Sequence, residues 1–80
     1  MVKEMEAFIL LKVKGDHRGV MEEISKFPYI KRIYNIAGDR DVLIEVKMRG
    51  LDDLKDLINK VRSLDNILET TSYIALSRYK

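Results

Sequence analysis

Two short stretches of this chain carry the residue types that could recognise a small molecule. The first is Ile36-Ala37-Gly38-Asp39-Arg40-Asp41-Val42-Leu43-Ile44-Glu45-Val46, a polar turn with a glycine that feeds an alternating apolar strand. Gly38 has no Cβ, so a ligand can approach the backbone closely there. Successive N–H groups in a turn can cradle an anion. The second stretch is the hydroxyl trio Thr70-Thr71-Ser72. Thr70 and Ser72 point the same way if this segment is a strand. What both places offer is non-covalent: hydrogen-bond donors, acceptors and charges. The chain has no cysteine and one histidine, so no His/Cys set exists for a metal. No nucleophile stands beside a base. Neither a cofactor nor catalysis is expected.

Composition bounds the partners. Eighty residues make one domain, 1–80, with no linker, repeat or low-complexity segment. At this size only roughly 60–65% of the unfolded surface is buried on folding. Small domains often need a staple, and without cysteine oligomerisation is the staple left. The chain is 46% hydrophobic and 35% charged, with 15 basic and 13 acidic residues interleaved. A net charge of +2 lacks the basic stripe of a nucleic-acid binder. No apolar run reaches the roughly 20 residues that would span a bilayer. The first residues lack a signal-peptide layout, so a cytoplasmic protein is expected. Abundant Lys, Glu and Arg without Gln, Cys or Trp lean towards a thermophile.

The elements that must position these residues follow from periodicity. Residues 6–14 read as a strand with Ala7, Ile9, Leu11 and Val13 on one face and Phe8 and Leu10 on the other. Asp16 is placed to cap a helix bearing Val20, Met21, Ile24 and Phe27, which Pro28 stops. A mixed strand over 29–37 groups Ile30 with Tyr34 and Ile36, and Ile33 with Ala37. Residues 42–49 alternate most cleanly: Val42, Ile44, Val46 and Met48 against Leu43, Glu45, Lys47 and Arg49. Asp52 or Asp53 can cap a second helix, whose stripe is Leu54, Leu57, Ile58, Val61 and Leu64. Asn66 can take the left-handed position that ends it, and 67–77 form a last strand. The order βαββαβ predicts an α+β, ferredoxin-like sheet of order 4-1-3-2 with both helices on one face. The other face holds Phe8, Leu10 and Leu43. An open apolar face is unusual on a monomer, so these three are expected in a face-to-face dimer interface.

This layout resembles the effector-binding (RAM) domain of the Lrp/AsnC transcriptional regulators. The resemblance rests on the Phe27-Pro28-Tyr29-Ile30 break, on Ala37-Gly38-x-x-Asp41 leading into Val42–Val46, and on Asn66-Ile67-Leu68-Glu69-Thr70-Thr71-Ser72-Tyr73-Ile74-Ala75-Leu76. It covers nearly the whole chain. Asn66 stands where the family often has Gly, and Arg40 stands where an aromatic residue commonly precedes the Asp. Regulators of this family carry an N-terminal helix-turn-helix. Here the first strand begins within a few residues of Met1, so the expectation is a stand-alone effector domain that does not bind DNA directly.

The resemblance implies an amino-acid effector held in a crevice between dimers by Gly38, Asp39, Arg40, Asp41, Thr70 and Ser72. The chemistry suits such a ligand. Turn N–H groups can hold its carboxylate, Asp41 its ammonium, and Thr70 and Ser72 can add hydroxyls. Arg40 could grip an acidic side chain. The resemblance further implies a homodimer assembling into an octamer or decamer, and co-assembly with full-length Lrp/AsnC regulators through the sheet face.

Two other classes stand beside this. One is a structural domain that assembles without a ligand. The other is a small acylphosphatase-like hydrolase, because His17 and Arg18 begin the first helix and a helix start beside an Arg can hold an anion. The Gly-rich signature and Phe-Arg pair of those hydrolases are missing, and His17 has no obvious partner. RNA binding on the sheet would need exposed aromatics on strands one and three, and strand three has none.

Overall fold

The structure is a computed structural model that describes residues 4–80. Its elements are β1 (Met5–Val13), α1 (Arg18–Ser25), β2 (Ile30–Asn35), β3 (Val42–Met48), α2 (Leu51–Arg62) and β4 (Ile67–Ile74). The strands form one antiparallel sheet in the order β2-β3-β1-β4. This is the ferredoxin-like arrangement that the pattern of apolar residues predicts. The two strands with the most apolar residues, β1 and β3, are the central pair.

Alternation decides which face each residue takes. Ala7, Ile9 and Leu11 on β1 are fully buried, as are Val42 and Ile44 on β3. They meet Val20 and Ile24 of α1 and Leu54, Leu57 and Val61 of α2 in a single core. Each fully buried Ile or Leu contributes about 1.5–3 kcal/mol.

Two local expectations are corrected. The pairing of β2 with β3 shifts between Ile30 and Arg32: Ile30 opposes Val46 and Arg32 opposes Glu45. Lys31 is therefore an extra residue. The bulge resets the alternation, so Ile30 packs against the core beside Ile33 rather than sharing the open face with Tyr34. Asn66, in turn, is not left-handed, since among the described residues no non-glycine residue has a positive φ. The chain leaves α2 through right-handed bonds, Ser63 N–H to Asn59 and Lys60 carbonyls and Leu64 N–H to Val61. These satisfy the helix end without a left-handed residue. The Asn66 carbonyl instead accepts the Lys14 N–H at 2.8 Å, prolonging the contact between β1 and β4.

The helix starts also differ in detail. His17 is the residue flanking α1, and Asp16 acts one position earlier by accepting the Arg18 N–H at 3.0 Å. Gly50 flanks α2, with Asp52 and Asp53 in its first turn. Asp53 reaches back to the Arg49 N–H at 3.1 Å. Acidic residues in a first turn suit the positive end of the helix dipole.

Candidate functional site

The turn between β2 and β3 is held by Asp41. Its N–H donates to the Leu11 carbonyl at 2.8 Å, and its carbonyl accepts the Ile36 N–H at 3.0 Å. Its carboxylate accepts the Val13 N–H at 2.8 Å. The reason lies in strand lengths. β3 begins at Val42, opposite Leu11, so no β3 backbone lies opposite Val13. The Asp41 side chain supplies the rung that the strand no longer reaches. One carboxylate oxygen, Oδ2, thus belongs to the scaffold. Gly38 has φ +138°, and a Cβ built there would touch nothing within 4 Å. The glycine is required by backbone conformation, and the space beside it is open. Asp39 is exposed at the tip.

Arg40 leaves the turn and lies over the sheet. One guanidinium nitrogen pairs with Glu69, and Nη2 donates to Thr71 Oγ1 at 3.1 Å. The Arg40 side chain is only 24% exposed as a result. Register shows which face this is. Residues opposite each other in an antiparallel pair share a face. Thr71 opposes Leu10 and Glu69 opposes Lys12, so both stand on the open face. Thr70 opposes Leu11 and Ser72 opposes Ile9, which places these two hydroxyls on the helix side of the β4 edge. Of the six expected site residues, Gly38, Asp39, Arg40 and Asp41 share one turn. Thr70 and Ser72 lie across β1 from it, about 10 Å away at two strand spacings. Arg40 reaches Thr71 and Glu69 rather than either of them.

Glu69 is the residue that sequence reasoning passed over. Its signal was available in the strand alternation, since Glu69 and Thr71 share a face that Thr70 does not.

The open face has a readable surface. One row across the sheet is Arg32, Glu45, Phe8 and Tyr73; the next is Tyr34, Leu43, Leu10 and Thr71. Phe8, Leu10 and Leu43 are half-buried, while Tyr73 is 55% and Tyr34 44% exposed. The two tyrosines widen the apolar strip beyond the three residues expected from sequence. Arg32 pairs with Glu45 at 3.5 Å at its margin, and the Glu45 side chain is 15% exposed.

The start of α1 is arranged differently. Asp16 binds both the backbone N–H and the guanidinium of Arg18. These two bonds, then the Arg18 charge, hold the Asp16 carboxyl below the usual carboxylate range. His17 Nδ1 lies 3.4 Å from Asn35 Oδ1, so the histidine has a neighbour on β2. Arg18 is paired with an acid, which lowers its worth as an anion receptor. Tyr29 lies beside Asp53, whose carboxylate pushes its phenol up.

Comparison with known proteins adds three findings. The family model described as "Lrp/AsnC ligand binding domain" matches residues 6–80. The HTH-type transcriptional regulator FL11 of Pyrococcus horikoshii is 30% identical over 77 residues, covering 95% of this chain and 51% of that protein. This chain therefore spans about half the length of the curated relatives it matches. Among solved structures, FFRP-DM1 superposes with a TM-score of 0.83 at 32% identity, covering 90% of this chain and 99% of its own. A transcriptional regulator from Neisseria meningitidis, solved as an L-Met complex, superposes with a TM-score of 0.81 over 95% of this chain and 52% of its own. At 16% identity that last likeness shows the fold alone.

Proposed function

The chain belongs to the Lrp/AsnC ligand-binding domain family, and from that premise we propose that it is a non-catalytic module that binds an amino-acid effector between dimers. The observation that carries the reading is the fastened turn. Gly38 opens the backbone, and Asp41, held in place by Val13, carries the charge that would meet an ammonium group. The family model's description as a ligand-binding domain supports the same reading.

Within one chain the turn and the hydroxyls of Thr70 and Ser72 do not converge. A ligand that uses both is best served when two chains each contribute one set, which suits a site between dimers. Dimerisation through the strip of Phe8, Leu10, Leu43, Tyr34 and Tyr73 would leave the turn at the dimer's margin. Dimers would then close into a ring, an octamer or decamer, with the ligand between neighbours. A ligand that binds only the ring stabilises it by mass action. The same strip could receive a full-length regulator of the family.

A second reading is favoured by a specific observation. Arg40 is already bound to Glu69 and Thr71, and Asp41 to Val13. Side chains so engaged could serve assembly alone, with no ligand.

A thermal-shift screen against the twenty amino acids, with oligomer mass read by light scattering, separates the two. A selective rise of a few degrees with a mass change supports the sensor. A stable oligomer indifferent to all of them leaves assembly. Turnover of an acyl phosphate that disappears in Arg18→Ala would overturn both in favour of a hydrolase.

A further inference from the structure

The sheet has two outer edges, and they are built differently. β2 is short, Ile30–Asn35, its pairing is interrupted at Lys31, and Lys31 and Arg32 put charges along it. A bulge and cationic side chains are what keep an edge strand from pairing with another chain. β4, Ile67–Ile74, has neither over most of its length. Its register with β1 is unbroken from Glu69 to Ile74, and the irregularity lies at its start, where Leu68 is the extra residue. The single charge between Glu69 and Ile74 is Glu69 itself, which is paired with Arg40. Leu68, Tyr73 and Ile74 are exposed apolar side chains on this strand.

Hydrogen-bond parity shows what that edge offers. The Ala75 N–H donates to the Glu6 carbonyl at 2.9 Å. Bonded and non-bonded pairs alternate along an antiparallel ladder. Glu69, Thr71 and Tyr73 therefore bond to β1, while the N–H and C=O groups of Thr70, Ser72 and Ile74 point away from the sheet. Among the described residues, no backbone group outside the sheet bonds to these three. Two copies of such an edge fit antiparallel only where even residues face even ones. The register that sets Thr71 against its own copy also sets Thr70 against Ser72 and Glu69 against Tyr73. Thr–Thr and Thr–Ser pairs are favourable across strands, and the two Glu69 carboxylates stand roughly 13 Å apart along the ladder. Sliding by two residues sets Thr70 against the apolar Ile74 instead. Pairing β4 with β2 of another copy meets the blunted edge, and such head-to-tail contacts risk an open chain of molecules.

We propose that β4 is an assembly edge, which pairs antiparallel with β4 of a second copy about a two-fold axis at Thr71 and joins two four-stranded sheets into one of eight strands. Its centre carries about four backbone hydrogen bonds, two for each Thr70–Ser72 pair. Two short strands bury less than the roughly 1,000 Å² of a stable interface, so the contact is weak and forms at high protomer concentration. It uses the edge and leaves the open face uncovered, and it does not rest on the sensor reading of the turn.

The chain has no cysteine, so a single introduced thiol reports cleanly. Thr71→Cys sets two sulfurs across a non-bonded pair whose Cα atoms are about 4.5 Å apart, within reach of a disulfide. Oxidation with copper phenanthroline at high protomer concentration is expected to link two chains of Thr71→Cys and to leave Glu22→Cys, on the exposed face of α1, unlinked. Ser72→Pro removes an outward N–H and no bond to β1, a place where an edge strand tolerates proline. Added to Thr71→Cys, it should weaken the pairing by about tenfold or more, the effect of two lost hydrogen bonds. Leu43→Arg, on the open face, should spare the link. Amide exchange of the unaltered chain is an independent reading: Thr70, Ser72 and Ile74 should slow as concentration rises, while Thr71 and Tyr73 stay protected throughout. The proposal is overturned by an unlinked Thr71→Cys, by a link that Leu43→Arg abolishes and Ser72→Pro spares, or by exchange at Thr70, Ser72 and Ile74 that ignores concentration. Exchange there that slows only when another protein is added would also overturn it, and would assign the edge to a foreign strand.

Discussion

Replacing Asp41 by alanine and by asparagine separates what this residue does for the fold from what it does for a ligand. Its carboxylate accepts the Val13 N–H at 2.8 Å, and Val13 is 6% exposed. Alanine leaves that donor without its acceptor at a place where little water reaches it. An unsatisfied buried donor costs about 1–3 kcal/mol. Asp41 itself is half-buried, so water recovers part of this, and about 1–2 kcal/mol is the expected loss. For a domain of this size each kcal/mol moves Tm by roughly 4–8 °C, so a fall of about 5–15 °C is expected. Asparagine keeps an acceptor and loses the charge, and neutral bonds are about half as strong. Its expected cost stays below about 1 kcal/mol. The assay is thermal and urea unfolding at one fixed protomer concentration, because assembly makes Tm depend on concentration. Affinity for the effector would then fall in Asp41→Asn well beyond its stability change. Two variants both within about 0.5 kcal/mol of the parent, the usual range for a neutral surface change, would refute the claim that Asp41 supplies the missing rung.

Three further outcomes are expected. Gly38→Ala forces a side chain onto a backbone with φ +138° and should cost about 1–3 kcal/mol by strain alone, read by urea unfolding, since nothing crowds the new Cβ. Leu43→Arg puts a charge in the middle of the open-face strip and should shift sedimentation at micromolar concentration from dimer to monomer while the circular dichroism spectrum stays unchanged. At the start of α1, Asp16 has a lowered pKa because it accepts the Arg18 N–H. Its contribution is therefore present above the ordinary value of 3.8 and lost as pH falls through the lowered one. Exchange of the Arg18 amide should speed up at low pH beyond the intrinsic rate, and Asp16→Asn should remove that extra acceleration.

Much of the fold was legible because burial and alternation agree on β1 and β3. Ala7, Ile9 and Leu11, then Val42, Ile44 and Val46, sit every second residue and all meet the helices. β2 was less legible. Its apolar residues Ile30 and Ile33 are three apart, which no flat strand can place on one face. Only the extra residue at Lys31 reconciles them, and a bulge leaves no unambiguous mark in side-chain type. Asn66 misled for a related reason. Its type tolerates a left-handed conformation, but the bonds of Ser63 and Leu64 had already closed the helix.

The site was legible as a place and only partly as an arrangement. A glycine and three charged residues in a row announce a turn, and a run of hydroxyls announces a polar strand. Which of them touch depends on register between strands far apart in sequence. Arg40 meets Glu69 and Thr71 because β4 pairs with β1 so that odd residues from 69 to 73 face the open side. A slip of one residue would have offered Thr70 and Ser72 to Arg40 instead. The bond from Arg40 therefore carries a consequence for the two readings of the turn. If Arg40 serves the scaffold alone, Glu69→Gln should weaken a partly exposed ion pair by no more than about 1 kcal/mol and leave ligand affinity unchanged. If Arg40 is also the ligand's reader, the same change frees a guanidinium at the site, and affinity for acidic amino acids should rise over neutral ones. A calorimetric titration of aspartate against leucine in this one variant distinguishes a turn built for recognition from one built for assembly.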